Sequence, residues 1–374
     1  MQASISSTES TPVSRVSTLE LFFDLVFVFT ITQVSHLILE AHSIGEVLKA
    51  FLVLTLTWWM YGGYAWLTNN VGTTRPLNRL LMLTAMASFL VMALSIPHAF
   101  EQDGLAFGLA FLLVNIIHAL LFTRAPNPSS ARAIWRIAPL NISTAFLVVI
   151  ASFVPQEWNW LLWATAVSLL VAVPWISPPG GFVIQPTHFA ERHGLVLIIA
   201  LGESIISIGV GAEGEAVTPL LITAVVLMLS LIASLWWSYF DQDEQRAEHA
   251  LSHAQGHQRG RMALFGFGYA FLVMIGGIVL IAAGIHHIID HLQEATTLTA
   301  SILLASGIAV YLLGDVFFRR SVQIPSSRLR FIIAIVSLAT IPIGVWTGGL
   351  VQVAVLLGLM GVVIVGEKMG QKAG

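Results

Sequence analysis

The chain has 374 residues, 56% apolar and 10% charged, where an ordinary soluble domain has about 45–50% and about 25%. With a mean hydropathy of +0.84, that balance argues against a soluble globular protein and for an all-α integral membrane protein whose surroundings are the lipid bilayer. The net charge of −3 argues against nucleic acid as a partner, and the absence of cysteine removes disulfides, thiolate nucleophiles and Cys-ligated metal.

Residues 1–18 are rich in Ser and Thr, lack the basic and apolar segments of a cleaved signal, and read as a mobile cytoplasmic tail. Apolar runs between charged or Pro/Gly punctuation then predict about twelve transmembrane helices, near 20–40, 46–69, 78–98, 104–123, 133–154, 158–177, 191–211, 217–240, 261–284, 296–318, 329–348 and 350–367. In the first, Glu20 and Asp24 lie four apart on one face, where two carboxylates repel unless a cation joins them. Arg192, Arg79 and Arg261 are the expected partners, and an ion-pair cluster that fixes packing is as good a reading as a functional one. Thr30, Gln33 and His36 share another face at three-residue spacing. Asp24 and Gln33 are nine residues apart, about half a turn around the helix, so they do not line one narrow path.

Trp58, Trp59 and Tyr61 in the second helix, and Trp236, Trp237 and Tyr239 in the eighth, could form an aromatic gate or mark membrane interfaces. Asn115, His118 and Asn141 supply polar groups for cross-helix hydrogen bonds. The seventh helix holds the strongest functional candidate. Glu203 stands 12 residues past Glu191, about 18 Å along the helix axis, so it lies deep in the membrane. A carboxyl there needs a reason to be present, and can take up and release a proton or hold a cation. Gln33 is expected opposite it, with His36 nearby. His249, His253 and His257 recur every four residues in a charged loop from Asp241 to Arg261, while His287 and His291 flank Asp290. Neither set carries the supporting residues of a metal site, and no metal or cofactor is expected. Asp315 and Arg319 read as a local ion pair, and Gly344 and Gly348 as a small-residue packing stripe.

Sixteen of the seventeen Lys and Arg residues fall on one side of a twelve-span topology, with only Lys49 on the other. The positive-inside rule therefore places both termini in the cytoplasm. The halves also share strings in the same order. LVFVFTITQ from Leu25 aligns with LVLIIALGE from Leu195, Trp58-Trp59 with Trp236-Trp237, Arg79 with Arg261, and Phe122-Thr123-Arg124 with Phe318-Arg319-Arg320. The expected organisation is a first six-helix repeat over 19–177, a cytoplasmic linker over 178–190, a second repeat over 191–367 and a short tail over 368–374. Two parallel repeats relate by a pseudo-two-fold axis along the membrane normal, with sites expected between them.

The run Glu20-Leu21-Phe22-Phe23-Asp24-Leu25-Val26-Phe27-Val28-Phe29, then Gln33, Glu191-Arg192 and Leu201-Gly202-Glu203-Ser204, resembles the bacterial low temperature requirement protein A family from residue 19 to about 365. The resemblance implies a polytopic inner-membrane protein whose family name records a need for growth in the cold, and it supplies no substrate. From the residues, the leading function is a secondary transporter or ion pathway, with proton linkage as one form, acting on a small solute or ion. Glu203 is its titrating or cation-binding group, with Gln33, His36, Asp24, Glu20, Arg192 and Glu191 as candidate neighbours. The alternatives are a lipid-modifying enzyme using Glu20 with Asp24, or His188 with Glu191 and His193, and a sensor without turnover that docks through the 241–261 loop.

Overall fold

The computed structural model describes residues 16–72, 75–176, 180–325 and 328–372. Arg15, the first fifteen residues of the tail, and residues 178 and 179 of the linker lie outside the described residues. The helices are α1 (Thr18–Leu39), α2 (Ile44–Asn70), α3 (Pro76–Ser95), α4 (Gly104–Phe122), α5 (Pro128–Ala151), α6 (Gln156–Ile176), α7 (Pro186–Gly211) and α8 (Pro219–Phe240). They continue with α9 (Asp243–His253), α10 (Gly256–Met262), a π-helical segment (Ala263–Ala270), α11 (Phe271–Asp290), α12 (Leu298–Ser321), α13 (Arg328–Leu338), α14 (Ile341–Thr347) and α15 (Gly349–Lys372). Among the described residues, eleven helical stretches are long and apolar enough to cross a membrane. The chain is therefore a multi-pass α-helical membrane protein. α6, with 21 residues, is one further long helix.

Local sequence explains where the helices begin. Ser17 and Glu20 form a reciprocal capping box at α1, and Ser43, Thr218 and Thr297 cap α2, α8 and α12 through their hydroxyls. Proline opens α3, α5, α7 and α8, where a missing N–H does no harm.

α3 packs on α1 and α4, α4 on α5, α5 on α6, and α2 on α1, α4 and α6; α11 packs on α7 and α12, α12 on α13, and α15 on α8, α13 and α14. α1 and α2 meet the second set of helices through α7 and α11. α11 is buried around nearly its whole circumference, as a helix apolar on every side should be. Its seam with α12 is made by glycine: a Cβ on Gly277 would lie 2.5 Å from the Tyr311 nitrogen, and one on Gly307 would lie 2.6 Å from Ile281. Without a hydrophobic drive between helices in lipid, such close backbone approach is what holds them together.

The Gly344 and Gly348 stripe divides into two roles. Gly344 packs tightly against Ser301 and Gln352, whereas Gly348 adopts φ 108° in the turn between α14 and α15. The stretch expected as a solvated 241–261 loop is instead helical through α9, with Asp243, Ala247 and Leu251 buried. Their spacing of four puts all three on one face, which packs on α7 and α8.

Candidate functional site

α7 crosses between the two groups of helices and carries two charged sites, separated by eleven positions or about 16 Å along its axis. At its beginning Arg192 is fully buried. Its guanidinium donates to Glu20 Oε1 at 3.3 Å, Asp24 Oδ1 at 3.4 Å, the Tyr64 carbonyl at 3.3 Å and the Thr68 hydroxyl. It also lies over the rings of Phe23 and Tyr61 at 5.7 and 5.6 Å, a stacking that suits a planar cation. The Tyr61 hydroxyl donates to Asp24 at 2.9 Å, and His188 Nε2 stands 3.1 Å from Glu20 Oε1. The cluster ties α1, α2 and α7 together. Glu20 thus has two duties, capping α1 through Oε2 and meeting Arg192 through Oε1, with His188 Nε2 beside both oxygens.

Glu191, next in sequence, is half-buried and does not bind Arg192. His193 is buried among the rings of Trp58, Phe189, Phe267 and Phe271, and its Nδ1 meets the Phe189 carbonyl at 2.8 Å. That makes it an aromatic packing element between the two charged sites.

Deeper on the same helix, Glu203 is 2% exposed and accepts from the Thr32 hydroxyl at 2.6 Å. Beside it lies a cavity of about 90 Å³ lined by Thr32, Ser35 and His36 of α1, Glu203 and Ser207 of α7, and His286 of α11. That is room enough for water, and the buried Ser35 Oγ has no hydrogen-bond partner among the described residues. Gln33 is half-buried and does not line the cavity. One residue is about 100° of helix, so the face that meets Glu203 runs through Thr32, Ser35 and His36 instead of Thr30, Gln33 and His36. Sequence reasoning missed Thr32, Ser35 and His286. The polar spacing of three and four from Thr32 was the available signal; His286 is brought in by the docking of α11 on α1.

The two aromatic sets occupy unlike surroundings. Trp58 and Tyr61 are buried, stack at 5.3 Å, and Trp58 Nε1 donates at 2.7 Å to the Gly268 carbonyl of the π-helical segment. Trp59 is half-buried near Tyr269, with ring centroids 6.0 Å apart. Trp236 and Trp237 are 41% and 42% exposed, and only Tyr239 of that set is buried. The second set thus has the exposed tryptophans expected at a membrane interface.

A second charged cluster went unrecognised in the sequence. Arg319 makes a two-pronged contact with Asp243 at 2.6 and 3.0 Å, and Arg330 makes one with Glu367 at 2.8 Å on each side. Arg330 also reaches Asp315 and Asp243, so the main partner of Asp315 is Arg330, while Arg319 stands 3.9 Å away. Arg192, Arg319 and Arg330 are therefore interior ligands for carboxylates, although the charge count had treated them as loop cations. His249 and His253 stack at 4.1 Å on α9, and among the described residues no group of three or more His, Asp or Glu is placed to hold a metal.

A protein of Rhizobium meliloti (strain 1021) without an assigned function is 31% identical over 327 residues, which cover 83% of this chain and 79% of that relative. The family model of the bacterial low temperature requirement A protein matches residues 15–365. With both charged sites of α7 inside that match, the chain belongs to the bacterial low temperature requirement A protein family.

Proposed function

We propose that the protein is a secondary transporter or ion pathway in the bacterial inner membrane, with Glu203 as the group that takes up and releases the ion, a proton in the simplest case. The observation that carries this reading is the Glu203 site itself: a buried carboxyl held by one hydroxyl, beside a water-sized cavity that also presents His36 and His286. Intramembrane ionisable groups that face a cavity mark ion and proton paths. The cavity lies where α1 meets α7 and α11, which is where a site belongs if the chain is two parallel six-helix repeats. That organisation, twelve spans with α6 among them and both termini in the cytoplasm, is part of the same proposal. It draws support from like packing in both groups of helices: α1 on α2 and α3 matches α7 on α8 and α11, and α2 on α6 matches α8 on α15.

The enzymatic reading has weaker support, because Glu20 and Asp24 are 3% and 0% exposed and engaged with Arg192. The family's name leads us to propose further that the transport serves growth in the cold. The test is proton and cation flux into liposomes holding wild type or Glu203→Gln, across a pH gradient with the voltage clamped. Flux in wild type and none in the variant supports the pathway. No flux above empty liposomes from folded protein would leave Glu203 as a packing residue.

A further inference from the structure

A polar hollow lies away from α7. It is a groove of about 420 Å³ where the π-helical segment begins and α12 ends, lined by His257, Arg261, Phe265, Phe317 and Arg320 with neighbouring polar groups and no carboxylate. Its position is set by the chain: Arg261 sits in the last turn of α10, just before the π-helical segment, and Arg320 sits in the last turn of α12. Both arginines are exposed. Arg261 lies 6.0 Å from the Phe265 ring centre, and Arg320 has no ion-pair partner among the described residues. The rim is fixed by Gln258, which donates to Gln323 at 3.0 Å, and Gln323 is held at φ 59°, a conformation rare for a residue with a side chain.

The two closest counterparts of Arg320 are engaged within the protein. Arg319, the neighbour of Arg320, binds Asp243 and Glu367, and Arg124, the residue aligned with Arg320 in the first half, donates to Asn78 at 3.0 Å. Two cations and an imidazole left together in a hollow at the end of two spans call for an anion. Phe317, 37% exposed, and Phe265 give the same hollow an apolar side, which a free anion would not need.

We infer that this groove binds the phosphate headgroup of an anionic phospholipid, with Arg261 and Arg320 as its cationic ligands and the two phenylalanines against the glycerol and upper acyl chain. Basic hollows between spans near a membrane face suit such headgroups, each cation contributing about fivefold in affinity. The site is independent of Glu203 and of any transport.

The test uses the full chain in phosphatidylcholine nanodiscs titrated with phosphatidylglycerol, read by thermal unfolding midpoint and by native mass spectrometry of retained lipid. Wild type gains a saturable rise in midpoint and keeps phosphatidylglycerol through purification. Arg261→Gln with Arg320→Gln weakens both by about thirtyfold in lipid concentration, and Arg261→Lys with Arg320→Lys recovers most of the effect. Should the double glutamine variant fold poorly, Arg320→Gln alone, at an exposed position, is expected to weaken binding about fivefold. Equal responses in wild type and glutamine variants, or an equal rise with added phosphatidylcholine, overturn the site. A full rise with inorganic phosphate at matched concentration overturns the lipid in favour of a free phosphate ion.

Discussion

The two charged sites on α7 differ in how completely they are answered. At Arg192, two carboxylates, a backbone carbonyl and a threonine hydroxyl meet one guanidinium, and a histidine and a tyrosine hydroxyl meet those carboxylates in turn, leaving Arg192 Nε and Asp24 Oδ2 without a hydrogen bond among the described residues. At Glu203 one threonine hydroxyl meets the carboxyl, and a cavity lies beside it. A heavily cross-linked cluster resists change because moving one member strands the others, whereas a group with one neutral partner and space beside it can alter its state locally. The first arrangement suits holding helices together and the second suits exchange with an ion. The Arg319 and Arg330 cluster falls on the cross-linked side, joining α9, α12, α13 and α15.

The largest way to break the comparison is Arg330→Ala, which leaves Asp243, Asp315 and Glu367 short of a cation. A loss of about 3–5 kcal/mol is expected, seen as a drop in folded yield and unfolding midpoint in detergent. Arg192→Ala is expected to do similar damage, while replacing Arg192, Glu20 and Asp24 together by apolar residues of like volume restores much of it. Recovery of flux in that triple variant would sharpen the split, since it would show the cluster to be structural. Glu203→Gln keeps the Thr32 contact, so a midpoint within about 1 kcal/mol of wild type is expected alongside lost flux. Trp58→Phe removes one hydrogen bond to Gly268 and is expected to lower stability by about 0.5–1.5 kcal/mol in the same unfolding assay. Ser35→Ala has the smallest effect on stability, near zero, because its hydroxyl has no hydrogen-bond partner among the described residues; a change in flux there would tie it to the path.

What the sequence carried well was everything set by composition and local spacing. Each predicted apolar run is helical, that over 329–348 as the two pieces α13 and α14, and the placing of Glu203 inside a span needed only a count along α7. The need of Glu20 and Asp24 for an arginine followed from two like charges on one face, and the structure puts Arg192 there. What it carried poorly depends on helices far apart in the chain. Arg330 meets Glu367 across 37 residues and Asp243 across 87, and no periodicity records such a meeting. The face of α1 that meets Glu203 was misjudged by one residue, because a sparse set of polar groups on an apolar helix leaves its rotation to packing.

The π-helical segment from Ala263 to Ala270 has a mechanical consequence. Its looser winding is pinned by Trp58 on the Gly268 carbonyl, and His286 lies farther along the same continuous rod. Rewinding those eight residues as an ordinary α-helix would turn all of α11 about its axis relative to α10. His286 would swing away from Glu203, and the glycine seam with α12 would lose register at once. The segment therefore acts as the phase setting of the rod, and an indole on α2 and the bond from the Tyr269 hydroxyl to α6 help hold the dial.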